Sequence, residues 1–282
     1  MNTFPTTWLF CPANRPERYA KAFASGAPGV VIDLEDAVPT TDKDSARTSL
    51  LQWLGSDIAA QASSATRLAI RINRPESDAG LNDLQAMRRA PGLAHAHLLL
   101  LPKVASPEEV QLVAAHLLRA APQLRLMALI ESIQGVRRVA QIAAAHSSLA
   151  ALGFGAADLA AELGIASDWE ALLYARSQVL LAAAGKGLPV LDVPWLQIDD
   201  TAGLVQDCAR ALRLGFHGKF AIHPKQVAGI VAGFRPQPAQ LERAQRYVQA
   251  YTDAGGAACA VDGTMVDEPV YLAALRLLAR AG

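Results

Sequence analysis

The sequence has only three cysteines, Cys11, Cys208 and Cys259, and no two of them form a CxxC pair. A disulfide framework and a structural zinc site both need closely spaced pairs, so we expect neither. Unpaired cysteines usually behave as small core residues, and we expect all three to be buried.

The chain also lacks net charge, because 26 Lys and Arg residues balance 26 Asp and Glu residues. A neutral protein has no global field to attract nucleic acid or an anionic membrane. No apolar stretch reaches about 18 residues without a charge, Gly or Pro, and the N-terminus has no signal-peptide pattern. We therefore expect a cytoplasmic protein with no nucleic-acid or membrane partner.

What the sequence does contain is a repeated alternation of short apolar runs and helical segments, typical of βα units around a parallel sheet. The runs are almost continuously apolar, as expected for strands covered on both faces. Eight strands are predicted, over residues 8–11, 29–34, 67–72, 97–101, 125–130, 149–154, 188–191 and 216–222. Eight such units in 282 residues favour one closed (β/α)8 TIM barrel over an open doubly wound sheet.

Two further helical stretches follow the eighth predicted strand, over residues 238–254 and 270–281. Gly255-Gly256 and Asp262-Gly263 mark turns between them. We predict a barrel over residues 1–235 and a C-terminal helical extension over residues 236–282. The extension could cap the barrel or reach another copy of the chain. We favour packing on a neighbouring subunit of a homo-oligomer, such as a trimer.

Five successive predicted strands end in charged residues. In a barrel these ends share the C-terminal face, where barrel enzymes carry their chemistry. The polar residues concerned are Asp33, Glu35, Asp36, Arg71, Asn73, Lys103, Glu131 and Asp158. Each has an ordinary alternative role, since Asp and Glu suit helix N-termini and long basic side chains reach solvent from partly buried stems. Their coincidence on one face favours a functional site.

These residue types suit a divalent cation and a small acid. Mg2+ takes one or two carboxylates and completes its shell with water and substrate oxygens. Arg offers a planar fork to a carboxylate, and Lys offers a point charge to an oxyanion. The pattern therefore predicts a site for a chelating 2-oxo or 2-hydroxy acid.

The histidines carry a weaker signal. His95 and His97 precede the fourth predicted strand, so we expect them at the opposite end of the barrel, in structural roles. His223 follows the eighth strand and could either contact a ligand or simply begin a helix.

Seven segments, taken in order, resemble the citrate lyase beta subunit-like proteins of the HpcH/HpaI aldolase/citrate lyase family. They are residues 11–21, 33–38, 71–73, 101–103, 129–132, 155–159 and 218–224, and the resemblance runs from about residue 8 to the end of the chain. Any one segment would be a weak signal, whereas the ordered set is specific.

The resemblance implies a role for each site residue. Glu131 and Asp158 would bind Mg2+, which Mn2+ could replace, and Arg71 would hold the carboxylate of the keto-acid fragment. Glu35 and Asp36 would support metal-bound water and substrate. A further basic set would face the acyl carrier, usually coenzyme A, and comprises Arg15, Lys21 and Lys103.

Residues 262–269 resemble the C-terminal motif of the family. In malyl-CoA-type relatives its second aspartate is an acid/base group contributed by a neighbouring protomer, which would make Asp267 catalytic. Alternatively, Asp267 or Glu268 caps a helix that begins at Pro269. Both interpretations remain open from the sequence.

The expected function is Mg2+-dependent cleavage, or the reverse condensation, of a 3-hydroxy-3-carboxyacyl-CoA thioester such as malyl-, citramalyl- or citryl-CoA. The products would be an acyl-CoA and a 2-oxo acid. Asp36 stands where aldolases acting on free pyruvate carry a histidine, which favours the thioester branch. The alternatives are such an aldolase, a thioester hydrolase, or a non-catalytic acyl-CoA-binding or partner-dependent lyase subunit.

Overall fold

The computed structural model describes residues 4–280, which fall into two compact units, Phe4–Gly233 and a C-terminal unit that begins at Phe234. The first unit is a closed barrel of eight parallel strands, each paired with its neighbours in sequence order. The strands are β1 (Thr7–Pro12), β2 (Gly29–Asp33), β3 (Arg67–Arg71), β4 (Leu98–Leu101), β5 (Arg125–Ile130), β6 (Leu149–Phe154), β7 (Val190–Asp192) and β8 (Gly218–Ala221). The predicted (β/α)8 barrel is confirmed.

Helices follow every strand. They are α1 (Tyr19–Phe23), α2 (Lys43–Leu54), α3 (Asp57–Ala65), α4 (Asp78–Met87), α5 (Pro107–Leu117), α6 (Ile133–Arg137), α7 (Val139–Ala143), α8 (Ala156–Leu163), α9 (Leu173–Ala184), α10 (Thr201–Leu214) and α11 (Pro224–Phe234). Short 3-10 turns cover Pro16–Arg18, Thr40–Asp42 and Pro91–His95. No helix within residues 4–280 combines the length and the apolar character that crossing a membrane requires.

Large apolar side chains fill the inside of the barrel. Its core cluster consists of Trp8, Val31, Ala69, Leu98, Leu100, Met127, Leu129, Ala151, Leu191 and Phe220. Successive residues of a strand point to opposite faces, so Val30 and Ile32 of β2 point outward toward the helices and are buried as well. A Cβ at Gly29 would overlap the indole of Trp8, which is why β2 begins with glycine. Burial on both faces explains the continuous apolar runs of the sequence.

The last two strands begin later than predicted. The prediction started the eighth strand at Phe216, whereas β8 begins at Gly218. Phe216 instead completes the end of α10, where its N–H donates to the carbonyl of Ala211 and Gly215 adopts a φ of 116°. A left-handed glycine followed by an apolar residue is a common way for a helix to end. The same kind of ending moves the start of β7 to Val190.

The C-terminal unit contains α12 (Pro238–Asp253), a hairpin of β9 (Cys259–Val261) and β10 (Thr264–Val266), and α13 (Glu268–Ala279). Within this unit α12 packs against α13, and the rings of Tyr251 and Tyr271 stack with their centroids 4.7 Å apart. Both predicted helices of the extension are present. The end of the second prediction, Ala281, lies outside the described residues, as do residues 1–3 and 282 of the predicted domains. Packing of the extension on a neighbouring subunit stays a prediction.

One of the three cysteines departs from expectation. Cys11 in β1 and Cys208 in α10 are buried, as predicted, but Cys259 is only partly buried. It lies in β9, one strand of the short two-stranded hairpin.

Candidate active site

Charged side chains converge at the C-terminal ends of β2 to β6. Five are carboxylates and two are cations, and they are Asp33, Glu35, Asp36, Glu131, Asp158, Arg71 and Lys103. The structure therefore brings together six of the nine residues to which a site role was assigned, together with Asp33, which was expected on the same face.

The guanidinium of Arg71, at the end of β3, is held by the last residue of β2. Its Nε and Nη2 donate to the two carboxylate oxygens of Asp33 at 2.7 and 2.6 Å. The ring of Phe10 lies 4.7 Å from the guanidinium carbon. Burial works against the charged form, but Asp33, Glu35 and Asp36 outweigh it and raise the pKa of Arg71. Arg71 is thus a fixed cation at the rim, the face of the barrel formed by the C-terminal ends of its strands.

Glu35 and Asp36 lie beside the remaining edge of this guanidinium. Nη1 of Arg71 is 3.0 Å from Oε2 of Glu35 and 3.7 Å from Oδ2 of Asp36. Burial raises the pKa of Glu35. For Asp36 burial acts in the same direction, but hydrogen bonding to Glu35 and the charges of Arg71 and Lys103 outweigh it and lower the pKa. The two neighbouring carboxyl groups therefore differ in their readiness to carry a proton.

Lys43, which sequence reasoning missed, secures the turn that carries this acidic pair. Its ammonium donates to the main-chain carbonyls of Leu34 and Glu35 at 2.8 and 2.6 Å. A lysine as first residue of α2 faces the positive end of the helix dipole, which is unfavourable for a cation. A lysine at this unfavourable position was a signal that could have identified Lys43 from the sequence.

Asn73 was also expected at the rim, but its contacts stabilise the fold. Its main-chain and side-chain N–H groups both donate to Oδ2 of Asp83 at 2.8 Å. The other oxygen of this buried carboxylate accepts from Nε of Arg47 at 2.6 Å. The network fixes the segment after β3 and leaves the side chain of Asn73 committed to Asp83.

Lys103 follows β4 and contacts the acidic groups through both its main chain and its side chain. Its N–H donates to Oε1 of Glu131 at 2.6 Å. Its ammonium lies 2.7 Å from Oε1 of Glu35, 3.2 Å from Oδ1 of Asp36 and 3.6 Å from Oδ1 of Asp158. The resemblance groups Lys103 with Arg15 and Lys21, whereas the structure directs its ammonium to the carboxylates.

Glu131 and Asp158 are two carboxyl groups of the site that act on each other electrostatically. Glu131 is 5% exposed, and a Cβ at Gly155 would overlap it. Burial, then Asp158 and then Glu35, raise the pKa of Glu131 to about 7. Asp158 lies in the first turn of α8, but its carboxylate pairs with Lys103 and the structure shows no capping bond from it.

The donor set fits Mg2+. Oε2 of Glu35 is buried and accepts no hydrogen bond from any described residue, although it is in ionic contact with Arg71. The negative charge of Asp158 acts on Glu131, so a cation near both carboxylates would be favourable. Residues 4–280 contain no cluster of three or more His, Cys, Asp or Glu side chains that could hold a metal. Mg2+ does not need one, since it commonly uses one or two carboxylates with water and substrate oxygens. The assignment of Glu131 and Asp158 as ligands stays a prediction.

A cavity of about 360 Å³ lies beside β1. Its lining is largely apolar and includes Phe10, but it also carries Arg18, Lys21 and His223. Arg15 is exposed and precedes the 3-10 turn that leads into α1. A cavity with apolar walls and basic groups suits a ligand that carries phosphate on an apolar body.

The histidines divide as expected. His95 contacts the carbonyl of Leu54 at 2.9 Å, and Nδ1 of His97 accepts the N–H of Leu68 at 3.2 Å, so both have structural roles. His223 precedes α11 and accepts the N–H of Lys225 at 3.2 Å while it also lines the cavity. His223 therefore both precedes a helix and lines the cavity, which agrees with each of the two interpretations.

Asp267 is the N-cap of α13, and its carboxylate accepts the N–H of Val270 at 3.2 Å. The capping interpretation is thereby confirmed, with a helix that begins at Glu268. A capping carboxylate remains available for proton transfer, so the catalytic role stays a prediction.

Comparison with known proteins agrees with this geometry. The HpcH/HpaI aldolase/citrate lyase family matches residues 6–224. A citrate lyase subunit beta-like protein of Mycobacterium tuberculosis is 36% identical over 98% of this chain and 95% of its own length. A (3S)-malyl-CoA thioesterase of Cereibacter sphaeroides is 34% identical over 97% and 93%. The crystal structure of CitE from M. tuberculosis in complex with magnesium, acetoacetate and coenzyme A matches with a TM-score of 0.82 and 33% identity over 100% of both chains. The chain belongs to the HpcH/HpaI aldolase/citrate lyase family and is a lyase.

Proposed function

We propose that this lyase cleaves, or in the reverse direction forms, the carbon–carbon bond of a 3-hydroxy-3-carboxyacyl-CoA thioester in a Mg2+-dependent reaction. Malyl-, citramalyl- and citryl-CoA belong to this class. The products are an acyl-CoA and a 2-oxo acid.

One observation carries the proposal. The guanidinium of Arg71, immobilised by Asp33, lies on the same rim as the paired carboxylates of Glu131 and Asp158. A hydroxy acid that chelates a metal through its hydroxyl and carboxylate oxygens would present its negative charge to such an arginine. The bound magnesium, acetoacetate and coenzyme A of the CitE crystal structure support the same combination of ligands.

Glu131 and Asp158 would hold Mg2+, which when bound polarises the hydroxyl and keto oxygens of the substrate. Arg71 neutralises the carboxylate of the fragment that becomes the 2-oxo acid. Glu35 and Asp36 hydrogen-bond water and substrate hydroxyl groups beside it. Because of their opposite pKa shifts Glu35 keeps its proton to a higher pH than Asp36, so protonated Glu35 can donate a hydrogen bond while ionised Asp36 accepts one.

The bond changes balance without a further reactant. A base takes the hydroxyl proton, the new carbonyl forms, and the bond between the α- and β-carbons breaks. Its electron pair passes to the α-carbon of the thioester, which is then protonated. We assign the acid/base role to Asp267 of another copy in a homo-oligomer, with a trimer favoured.

The basic groups near β1 would bind the coenzyme A part of the substrate. Lys21 and His223 line the cavity, and Arg15 lies on the exposed approach to α1. Lys and Arg bind phosphate well, and the apolar walls suit the rest of the carrier.

The deciding experiment is a panel of malyl-, citramalyl- and citryl-CoA incubated with purified protein, with and without Mg2+, following the 2-oxo acid released. Metal-dependent release that Glu131→Gln abolishes is the expected result. Full metal-dependent activity in Glu131→Gln, or no release with every substrate, would overturn the proposal.

Hydrolysis of the thioester is a second candidate, because the relative in C. sphaeroides is named a (3S)-malyl-CoA thioesterase. The same panel separates the two reactions. A lyase releases a 2-oxo acid and leaves an acyl-CoA, whereas a thioesterase releases free coenzyme A and the intact hydroxy acid.

A further inference from the structure

The side chain of Lys103 spans three carboxylates that come from different parts of the rim. Its ammonium is closest to Glu35 at 2.7 Å, then to Asp36 at 3.2 Å and to Asp158 at 3.6 Å. Asp158 is one of the two residues to which Mg2+ binding is assigned above. The ammonium is therefore a built-in cation in direct ionic contact with a proposed metal ligand.

The backbone holds Lys103 in this place at a cost. Its φ is 53°, in the left-handed region that disfavours residues with a side chain by about 1 kcal/mol or more. This conformation points its N–H at Oε1 of Glu131, at 2.6 Å, and its ammonium at Asp158. Glycine would make the same main-chain bond without strain, so the contacts of the ammonium are what the lysine adds.

We propose that Lys103 and Mg2+ compete for Asp158, so that the ammonium of Lys103 lowers the affinity of the site for Mg2+. This inference rests on the proposed function, because it takes Glu131 and Asp158 as the metal ligands. A divalent cation bound there would lie a few ångströms from the ammonium, and two like charges at such a distance repel strongly when partly buried.

The ammonium of Lys103 can stay bound at the site after it leaves Asp158. Its contacts with Glu35 and Asp36 are both shorter than its contact with Asp158, so it can leave Asp158 and keep two ionic partners. Mg2+ binding therefore moves Lys103 from three carboxylates to two. A site weakened in this way fills best when a chelating substrate brings oxygen ligands of its own, which couples metal binding to substrate binding.

The experiment is a calorimetric titration of the metal-stripped protein with Mg2+ in the absence of substrate. Lys103→Met removes the charge, keeps most of the length and adds no oxygen ligand. This variant should bind Mg2+ at least about tenfold more tightly than the unaltered protein. Lys103→Arg keeps the charge and should bind with nearly the original affinity. Lys186→Gln is the matched control, because this exposed lysine precedes β7 at the opposite end of the barrel.

A second neutral variant tests whether misfolding of Lys103→Met explains its Mg2+ binding. Asn tolerates a positive φ better than Met and is too short to replace the ammonium, so Lys103→Asn should fold and also bind Mg2+ more tightly. Unchanged or weaker Mg2+ binding by both neutral variants would overturn the inference.

The two proposals fail differently. If the unaltered protein binds Mg2+ and Glu131→Gln does not, the metal site stands whatever the Lys103 variants show. If Glu131→Gln binds Mg2+ as well as the unaltered protein, the metal assignment falls and the inference about Lys103 falls with it.

Discussion

Both carboxylate oxygens of Asp33 are engaged by Arg71, through Nε at 2.7 Å and Nη2 at 2.6 Å. The same oxygens accept the N–H groups of Glu35 and Ala37 at 2.9 and 3.2 Å. One buried carboxylate therefore orients the guanidinium of Arg71 and shapes the turn that carries the acidic pair. Asp33 does not engage Nη1 of Arg71, which lies 3.0 Å from Oε2 of Glu35 instead.

Asp33→Asn should lower kcat/KM about 10- to 100-fold, because a charge-assisted hydrogen bond to a buried guanidinium contributes roughly that much. Most of the loss should appear as a higher KM for the 2-oxo acid in the condensation direction. Asp44→Asn, which alters the exposed partner of Arg47, is the control and should leave kinetics unchanged. A normal KM in Asp33→Asn would contradict this role.

Arg71→Lys should lower kcat/KM by roughly 100-fold or more, about 3 kcal/mol of transition-state stabilisation. Lysine keeps the charge but cannot bind Asp33 and a substrate carboxylate with separate edges of one planar group. Steady-state kinetics of the condensation measure the effect. A variant that retained most of its activity would show that the charge of Arg71 matters and its fork does not.

Glu131 should make the protein less stable in the absence of Mg2+ as the pH rises. Its pKa is raised from 4.5 to about 7 in the folded chain, first by burial and then by Asp158 and Glu35. The stability that the protonated Glu131 contributes is therefore fully present below its pKa in the unfolded chain. It is lost as the pH rises toward its pKa in the folded chain. Thermal unfolding with a chelator should give a lower Tm at about pH 8 than at about pH 5.

Glu131→Gln should flatten this pH dependence, because the variant lacks the carboxyl group whose pKa is raised. Added Mg2+ should raise the Tm of the unaltered protein most at the higher pH, since the ligand must be ionised to bind it. An equally steep loss of stability in Glu131→Gln would assign the titration to another group.

Lys43→Met should reduce activity about tenfold without unfolding the barrel, because two main-chain carbonyls at the acidic turn lose their charged donor. Lys43→Arg, which can still donate to both carbonyls, should recover most of the activity. The Mg2+ affinity of both variants is the informative measurement. Unchanged affinity and activity in Lys43→Met would show that Asp33 alone holds the turn.

Asp267→Ser separates capping from catalysis. Serine is as good an N-cap as aspartate, so α13 and the Tm should be retained. A large loss of kcat is expected, because the hydroxyl cannot accept the substrate proton as a carboxylate does. If Asp267→Ser keeps its turnover, capping is the whole role of this residue.

A complementation experiment tests whether Asp267 serves a neighbouring copy. Mixed oligomers of Asp267→Ser and Glu131→Gln should recover activity that neither variant has alone, since some sites would combine an intact metal pair with an intact Asp267. Lack of recovery in oligomers shown to be mixed would confine each active site to one copy.

The barrel and the membership of its rim could be predicted from the sequence, because both depend on local order along the chain. Strands covered on both faces are apolar throughout, and helices repeat about every 3.6 residues, so eight units can be counted without knowing how they pack. The C-terminal ends of parallel strands lie on one face, and different strands end at or just before Glu35, Arg71, Lys103 and Glu131.

The pairing among these residues was decided only by the tertiary structure. Asp33 and Arg71 are 38 positions apart, and Glu35 and Lys103 are 68 apart, so their contacts depend on strand register. The direction of the Lys103 ammonium depends further on a left-handed φ that the residue type does not reveal. Sequence periodicity determines which residues reach the rim, whereas register and backbone conformation determine which charges meet there.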